Sequence, residues 1–139
     1  MTSEATILQV NNLEYRQVTV DDASAFAKGT MMYFEGGAGV NARVNHYANG
    51  QQRRPAGVLA VEKVASDGQT TLPVLVQGTV EFKQADNTAT IGMSVVPSSL
   101  DNAVAAWGAA SLELVDRIIG IYDQGAAAGG AVRVRLQLG

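Results

Sequence analysis

The chain has 139 residues, with ten lysines and arginines against thirteen aspartates and glutamates and a net charge of −3. That length predicts one domain, large enough to bury about 68% of the surface of its unfolded form and so to hold a core without a disulfide or a structural metal. Zero cysteines exclude thiolate chemistry, and the acidic balance excludes a protein drawn to nucleic acid by its overall field, so that any such contact has to be local.

Only 17% of the residues are charged, below the ~25% of an average soluble domain, which points to a surface that faces other subunits. The sequence has no run of about 18 apolar residues, so no membrane span is expected. Residues 1–12 carry Glu4 and lack a basic stretch followed by an apolar one, so they do not read as a secretory signal. The expectation is a soluble protein of intracellular origin.

In chain order, residues 6–10 and 14–20 are β-branched segments flanking Asn11-Asn12, a pair suited to a left-handed turn, and together they predict an N-terminal β-hairpin over 6–20. Residues 21–29 read as a loop or one helical turn, and 31–34 as a short strand stopped by Gly36-Gly37. From 40 to 47 the residues alternate, with Val40, Ala42, Val44 and His46 on one face and Asn41, Arg43, Asn45 and Tyr47 on the other, which predicts a half-buried strand. Asn49-Gly50 turns it into a returning strand over 57–64. A polar loop at Ser66-Asp67-Gly68 leads through Leu72-Pro73 to a strand over 74–84 that sets Gln77, Thr79, Glu81 and Lys83 on one face, and a further strand spans 88–96. Hairpin-length loops make residues 31–96 an antiparallel sheet.

Beyond Pro97 the spacing changes. Ser98, Ser99 and Asp101 suit a helix start, and Leu100, Val104, Trp107, Leu112, Val115, Ile118, Ile119 and Tyr122 recur every three or four residues, which predicts a helix over 98–124. After a small-residue link at 125–130, residues 131–138 alternate again, with Arg133 and Arg135 on one face, as a last extended segment. The fold class so read is α+β.

Chemistry is sparse. The lone histidine, His46, sits on an apolar strand face with no patterned acid beside it, and a structural imidazole explains it better than a catalytic base. One histidine and scattered acids assemble no metal site, and capping explains Asp21-Asp22. Gly36-Gly37-Ala38-Gly39 lacks the lysine and hydroxyl residue of a phosphate loop and precedes a strand. No cofactor and no enzymatic activity are expected. Arg43, Arg53, Arg54, Lys63 and Lys83, interleaved with Asn45, Tyr47, Gln77, Thr79 and Thr90, have the mix with which a sheet holds RNA. With Glu62 and Glu81 among them, a solvated sheet face fits the same pattern.

The stretch from Ala42-Arg43-Val44-Asn45 through Asn49-Gly50-Gln51-Gln52-Arg53-Arg54 to Val61-Glu62-Lys63-Val64 resembles the central hairpin of the coat proteins of single-stranded RNA bacteriophages, the levivirus-like family. Residues 65–71 followed by Leu72-Pro73-Val74 are similar to the loop that precedes that family's long last strand. The resemblance covers nearly the whole chain as one coat-protein domain over 1–139. It departs where residues 74–96 exceed the family's last strand and where one long helix stands in place of two.

The resemblance implies an intertwined homodimer whose two sheets join edge to edge, assembling into an icosahedral virion shell in the bacterial host cytoplasm. The inner sheet would bind single-stranded genomic RNA through Arg43, Asn45, Lys63, Thr79, Glu81 and Lys83, with Arg53 and Arg54 at its edge. Trp107, Val115, Ile118 and Ile119 would form the dimer interface. Ser66, Asp67, Gly68, Gln69, Thr70 and Thr71 would meet other dimers around the symmetry axes. Two alternatives stand beside it: another phage structural protein, of the decoration or tail kind, and a small dimeric ligand-binding α+β domain.

Overall fold

A computed structural model describes residues 5–8, 13–35, 43–46, 55–84, 90–97, 103–106, 118–125 and 130–138. Its strands are β1 (Thr6–Leu8), β2 (Glu14–Thr19), β3 (Met31–Glu35), β4 (Arg43–His46), β5 (Pro55–Leu59), β6 (Thr71–Gln84), β7 (Ser94–Pro97), β8 (Ala103–Ala106), β9 (Gly120–Gln124) and β10 (Ala131–Gln137). Among the described residues there is no helix and about 63% are strand, so the fold is all-β.

The 14-residue β6 is the spine. A first ring runs from β6 to β10, β9, β7 and β8 and returns to β6, a closed five-strand barrel. A second ring of pairings runs from β6 through β2, β4, β3 and β5 back to β6; its β2–β4 seam is parallel and rests on Thr19 opposite Arg43. β1 lies against Thr79, Val80 and Glu81 of β6. Along nearly all of β6 both edges therefore have a partner, which removes the open backbone edge that sheets use to pair with other chains.

The buried side chains form two apolar clusters, one within the second ring and one that fills the first ring and extends onto Met31, Tyr33, Val58 and Leu75 of the second. Along β6, Leu72, Val74 and Val76 enter one apolar cluster with Val18, Val20, Phe26, Met32 and Leu59. Val80 and Phe82 enter the other with Val95, Val104, Ile119, Tyr122, Val132, Val134 and Leu136. Leu138 packs against both. Burying each such side chain contributes about 1.5–3 kcal/mol against the entropy of ordering the chain. The strict alternation of β10, exposed at 131, 133, 135 and 137 and buried at 132, 134 and 136, is what a strand wet on one side and packed on the other requires.

Inside the first barrel the Tyr122 hydroxyl donates to Gln84 Oε1 at 2.7 Å, and both residues are buried. Burial pushes the phenol up to about 12, against the lowering effect of the Gln84 bond. The phenol thus stays neutral in the fold. Its contribution to stability is complete below pH 10 and declines as pH rises from 10 towards 12. Tyr122→Phe should cost about 1–2 kcal/mol at neutral pH and flatten that alkaline decline; urea midpoints at pH 7 and pH 11 that shift equally in both proteins would contradict the assignment.

Several expectations are corrected. The helix over 98–124 is not formed where the chain is described: β8 and β9 stand there, paired with β6 and β7 and with β7 and β10. Val104, Ile119 and Tyr122 are buried as strand and loop residues of the barrel. Two strands of four and five residues are too short to display alternation, and their separation happened to match a helical period. The hairpin over 6–20 is also absent, since β1 and β2 each pair antiparallel with β6 and not with one another. The central hairpin of the coat-protein resemblance is split as well: β3 lies between β4 and β5. Within residues 31–96 the described pairings, β3–β4, β3–β5 and β5–β6, are antiparallel, and the parallel pairings β2–β4 and β6–β8 each use a strand outside that range.

Candidate functional site

Among the described residues, the densest polar arrangement lies where β6 begins, built from the segment after β2 and the segment after β5. Asp21 closes a local turn, accepting from the Ala23 N–H at 3.2 Å and the Ser24 hydroxyl at 3.5 Å. The capping expected of Asp21-Asp22 is thus realised at Asp21 in a turn and not at a helix start. Asp22 does something else. Its carbonyl accepts from the Ser66 N–H at 2.7 Å and its Oδ1 from the Gly68 N–H at 2.8 Å, so it ties the two segments together.

Between them sits Lys63, whose side chain is fully buried. Its ammonium donates to Asp67 Oδ1 at 2.8 Å, Asp22 Oδ1 at 3.1 Å and the carbonyls of Asp22 and Val64, both at 3.0 Å. Three hydrogens shared among four oxygens leave the charge well satisfied, which is what a buried cation requires. Backbone pairing with Phe26 in both directions, at 2.9 and 3.0 Å, fixes the stem of the lysine.

Asp67 also accepts from the N–H groups of Gln69 and Val64. The Lys63 hydrogen bond, followed by that of Gln69, holds its carboxyl down to about 2 against the opposing effect of burial. For Lys63, burial pulls its pKa down, but the hydrogen bonds and charges of Asp67 and Asp22 outweigh that, and the net shift is upward. Both groups stay ionised at neutral pH.

This clamp holds the surface beside it in one shape. Ser66 adopts φ 58°, a left-handed conformation that costs a non-glycine residue about 1 kcal/mol or more. A shallow cavity of about 310 Å3 opens next to the clamp, lined by Ala25, Phe26, Ala27, Glu62, Lys63 and Val64. On the same segment Val61 and Val64 face solvent, Val64 at 67% exposure. No group of three or more His, Cys, Asp or Glu side chains suited to a metal occurs among the described residues.

The residues expected to hold RNA are not brought to one open face. Lys63 is enclosed by the clamp on a loop and not on the returning strand. Thr79 is buried, Glu81 half-buried and Lys83 exposed along β6. Arg43 and Asn45 lie on β4, in the other ring, while Arg53 and Arg54 fall outside the described residues. On the same side of β6 as Glu81 and Lys83, β10 contributes Arg133, opposite Glu81, and Arg135, which pairs with Asp123 at 3.4 Å.

Of the expected dimer interface, Trp107 and Val115 fall outside the described residues. Ile119 is buried in the core of its own chain and Ile118 is half-buried. Ser66, Asp67, Gly68, Gln69 and Thr70 lie in an exposed loop, and Thr71, also exposed, opens β6. Sequence reasoning missed Asp22 and the Phe26 pairing because they lie 41 and 37 residues from Lys63. The four-residue spacing of Lys63 and Asp67 was the one local signal.

No family model matches the chain, and no curated protein matches it. Among solved structures, the fold is similar to the N base of head fiber gp8.5 in bacteriophage phi29. The TM-score is 0.53 and the identity 14%, over 91% of this chain and 95% of that one. At that identity the likeness is one of fold, and it extends across almost the whole of both chains.

Proposed function

We propose that the chain is a structural component of a phage virion, of the decoration or head-fibre kind. The observation that carries this reading is the likeness in fold to the phi29 head fiber base, which covers nearly all of both chains. Two further observations support it. The sequence is poor in charge, as a subunit that works by contact with other subunits would be. Its one buried lysine is committed to holding loops in place and not to chemistry.

An RNA-phage coat is less well supported. That resemblance leaned on a C-terminal helix and a central hairpin, where β8, β9 and the interposed β3 now stand. Negative-stain electron microscopy of the protein expressed alone, with the 260/280 nm absorbance ratio read on the same size-exclusion peak, separates the two. A small assembly free of nucleic acid is expected, and antiserum raised against it should label the outside of intact virions of the phage that encodes it. Uniform shells filled with nucleic acid would reverse the preference and restore the coat reading.

A further inference from the structure

We infer that the clamped region, residues 21–28 and 61–70, is the face by which the chain docks, and that it receives a basic protein surface presenting one apolar side chain. The inference rests on the proposed virion role and names the surface that role would use.

Three observations converge on this region. The first is shape: the shallow cavity is lined by the buried Phe26, the half-buried Ala27 and the exposed Ala25 and Val64. An open apolar hollow of this kind offers a place for an apolar side chain of a partner to pack, as at the centre of protein interfaces. The second is rigidity. A loop that is otherwise free to move is fixed by an ammonium held by four oxygens and by the N–H groups of Ser66, Gly68 and Gln69. Such a loop meets a partner without an ordering cost, which is what preorganisation contributes to affinity. The strained Ser66 is kept in the same loop, and strain of this kind gathers where function fixes the backbone.

The third observation is charge, and it selects the occupant. The two segments carry four carboxylates, Asp21, Asp22, Glu62 and Asp67, against two amines, Lys28 and the enclosed Lys63. Asp22 and Asp67 are shared with Lys63, and Glu62 lines the cavity itself; the net charge of −2 that the two segments carry favours a partner with lysine or arginine beside an apolar side chain and disfavours another acidic surface. The other exposed apolar pair, Ile91 and Met93, lies at the turn before β7 and outside the lining of this cavity, so it serves as the control.

The test uses virions of the encoding phage from which this gene has been deleted, with the purified chain added back and binding measured by co-sedimentation. Val64→Ser removes the exposed methyls without touching the backbone groups of the clamp, and Glu62→Lys reverses one charge that lines the cavity. Each should weaken binding about tenfold or more, while Ile91→Ser should stay within about twofold of the original. Binding should fall as sodium chloride is raised. Equal melting temperatures establish that each variant is folded.

If the unaltered chain fails to bind virions at all, the proposed function falls and the inference with it. If it binds but Val64→Ser and Glu62→Lys bind equally well, the inference alone is overturned. Sedimentation velocity supplies the remaining arm. A Val64→Ser protein that loses self-association yet still binds virions would assign this face to a second copy of the chain and also overturn the proposal.

Discussion

Gly120→Ala should destabilise the protein by about 3 kcal/mol, the upper end of what overpacking a well-filled interior costs. The reason lies in backbone proximity and not in conformational freedom. Gly120 begins β9 between Val95 of β7 and Leu136 of β10. A Cβ placed on it would overlap the carbonyl oxygen of Arg135, with the Arg135 carbonyl carbon 2.9 Å away and Leu136 Cα at 3.2 Å. None of these atoms belongs to a flexible side chain, so relief requires β9 and β10 to separate. The Gln137 N–H to Ile119 carbonyl bond of 2.9 Å lies at the same place and would weaken with them.

A loss of this size is a large part of the 5–15 kcal/mol that a single domain has, and it should lower the melting temperature by roughly 10 °C. Gly92→Ala is the matched control. Gly92 has φ 89°, and a Cβ there meets nothing within 4 Å, so only the left-handed backbone cost of about 1–2 kcal/mol applies. Circular dichroism melts of the two variants decide the matter. If Gly120→Ala melts with or above Gly92→Ala, the close approach of β9 to β10 is not as described.

The parts of this fold that the sequence displays are the ones that repeat. β10 shows its period of two over seven residues, and the second half of β6 shows Gln77, Thr79, Glu81 and Lys83 opposite Gly78, Val80 and Phe82. β8 and β9 are four and five residues long, and Ala103–Ala106 has neither bulk nor charge to mark its outer side. Partner choice was hidden for a different reason. Short loops favour hairpins between successive strands, yet β3 inserts between β4 and β5, and β1 and β2 share β6. Such pairings join segments far apart in the chain, where local propensity carries no information. The same distance concealed the clamp: Lys63 and Asp67 are neighbours in sequence, but Asp22 reaches them only because β2 and β6 run side by side.

Lys63→Met should be the most damaging change at the candidate site, and pH should reveal the cause. Methionine keeps most of the buried stem but removes the ammonium, leaving Asp22 and Asp67 to face one another without their common cation. Removing one partner of an enclosed ion pair strands the other charge, which costs more than the pair contributes. A drop in melting temperature of roughly 10 °C is expected at pH 7.

The direction with pH follows from the pairing. Asp67 is held at about 2 in the fold against an ordinary 3.8, so its share of stability is complete above about 3.8 and fades as pH falls towards 2. Lys63, raised above 10.5, contributes fully below that value and is lost as pH climbs through its raised one. In Lys63→Met the two carboxylates repel, and protonating either relieves the repulsion. The variant should therefore gain stability on acidification from pH 7 to 4, while the original holds steady there and declines only below pH 4. The gap between their urea midpoints should be widest near neutrality and narrow towards pH 2.5. A gap that stays constant across that range would mean that Lys63 acts through the packing of its methylenes, and that the charges of the clamp do not hold the loop.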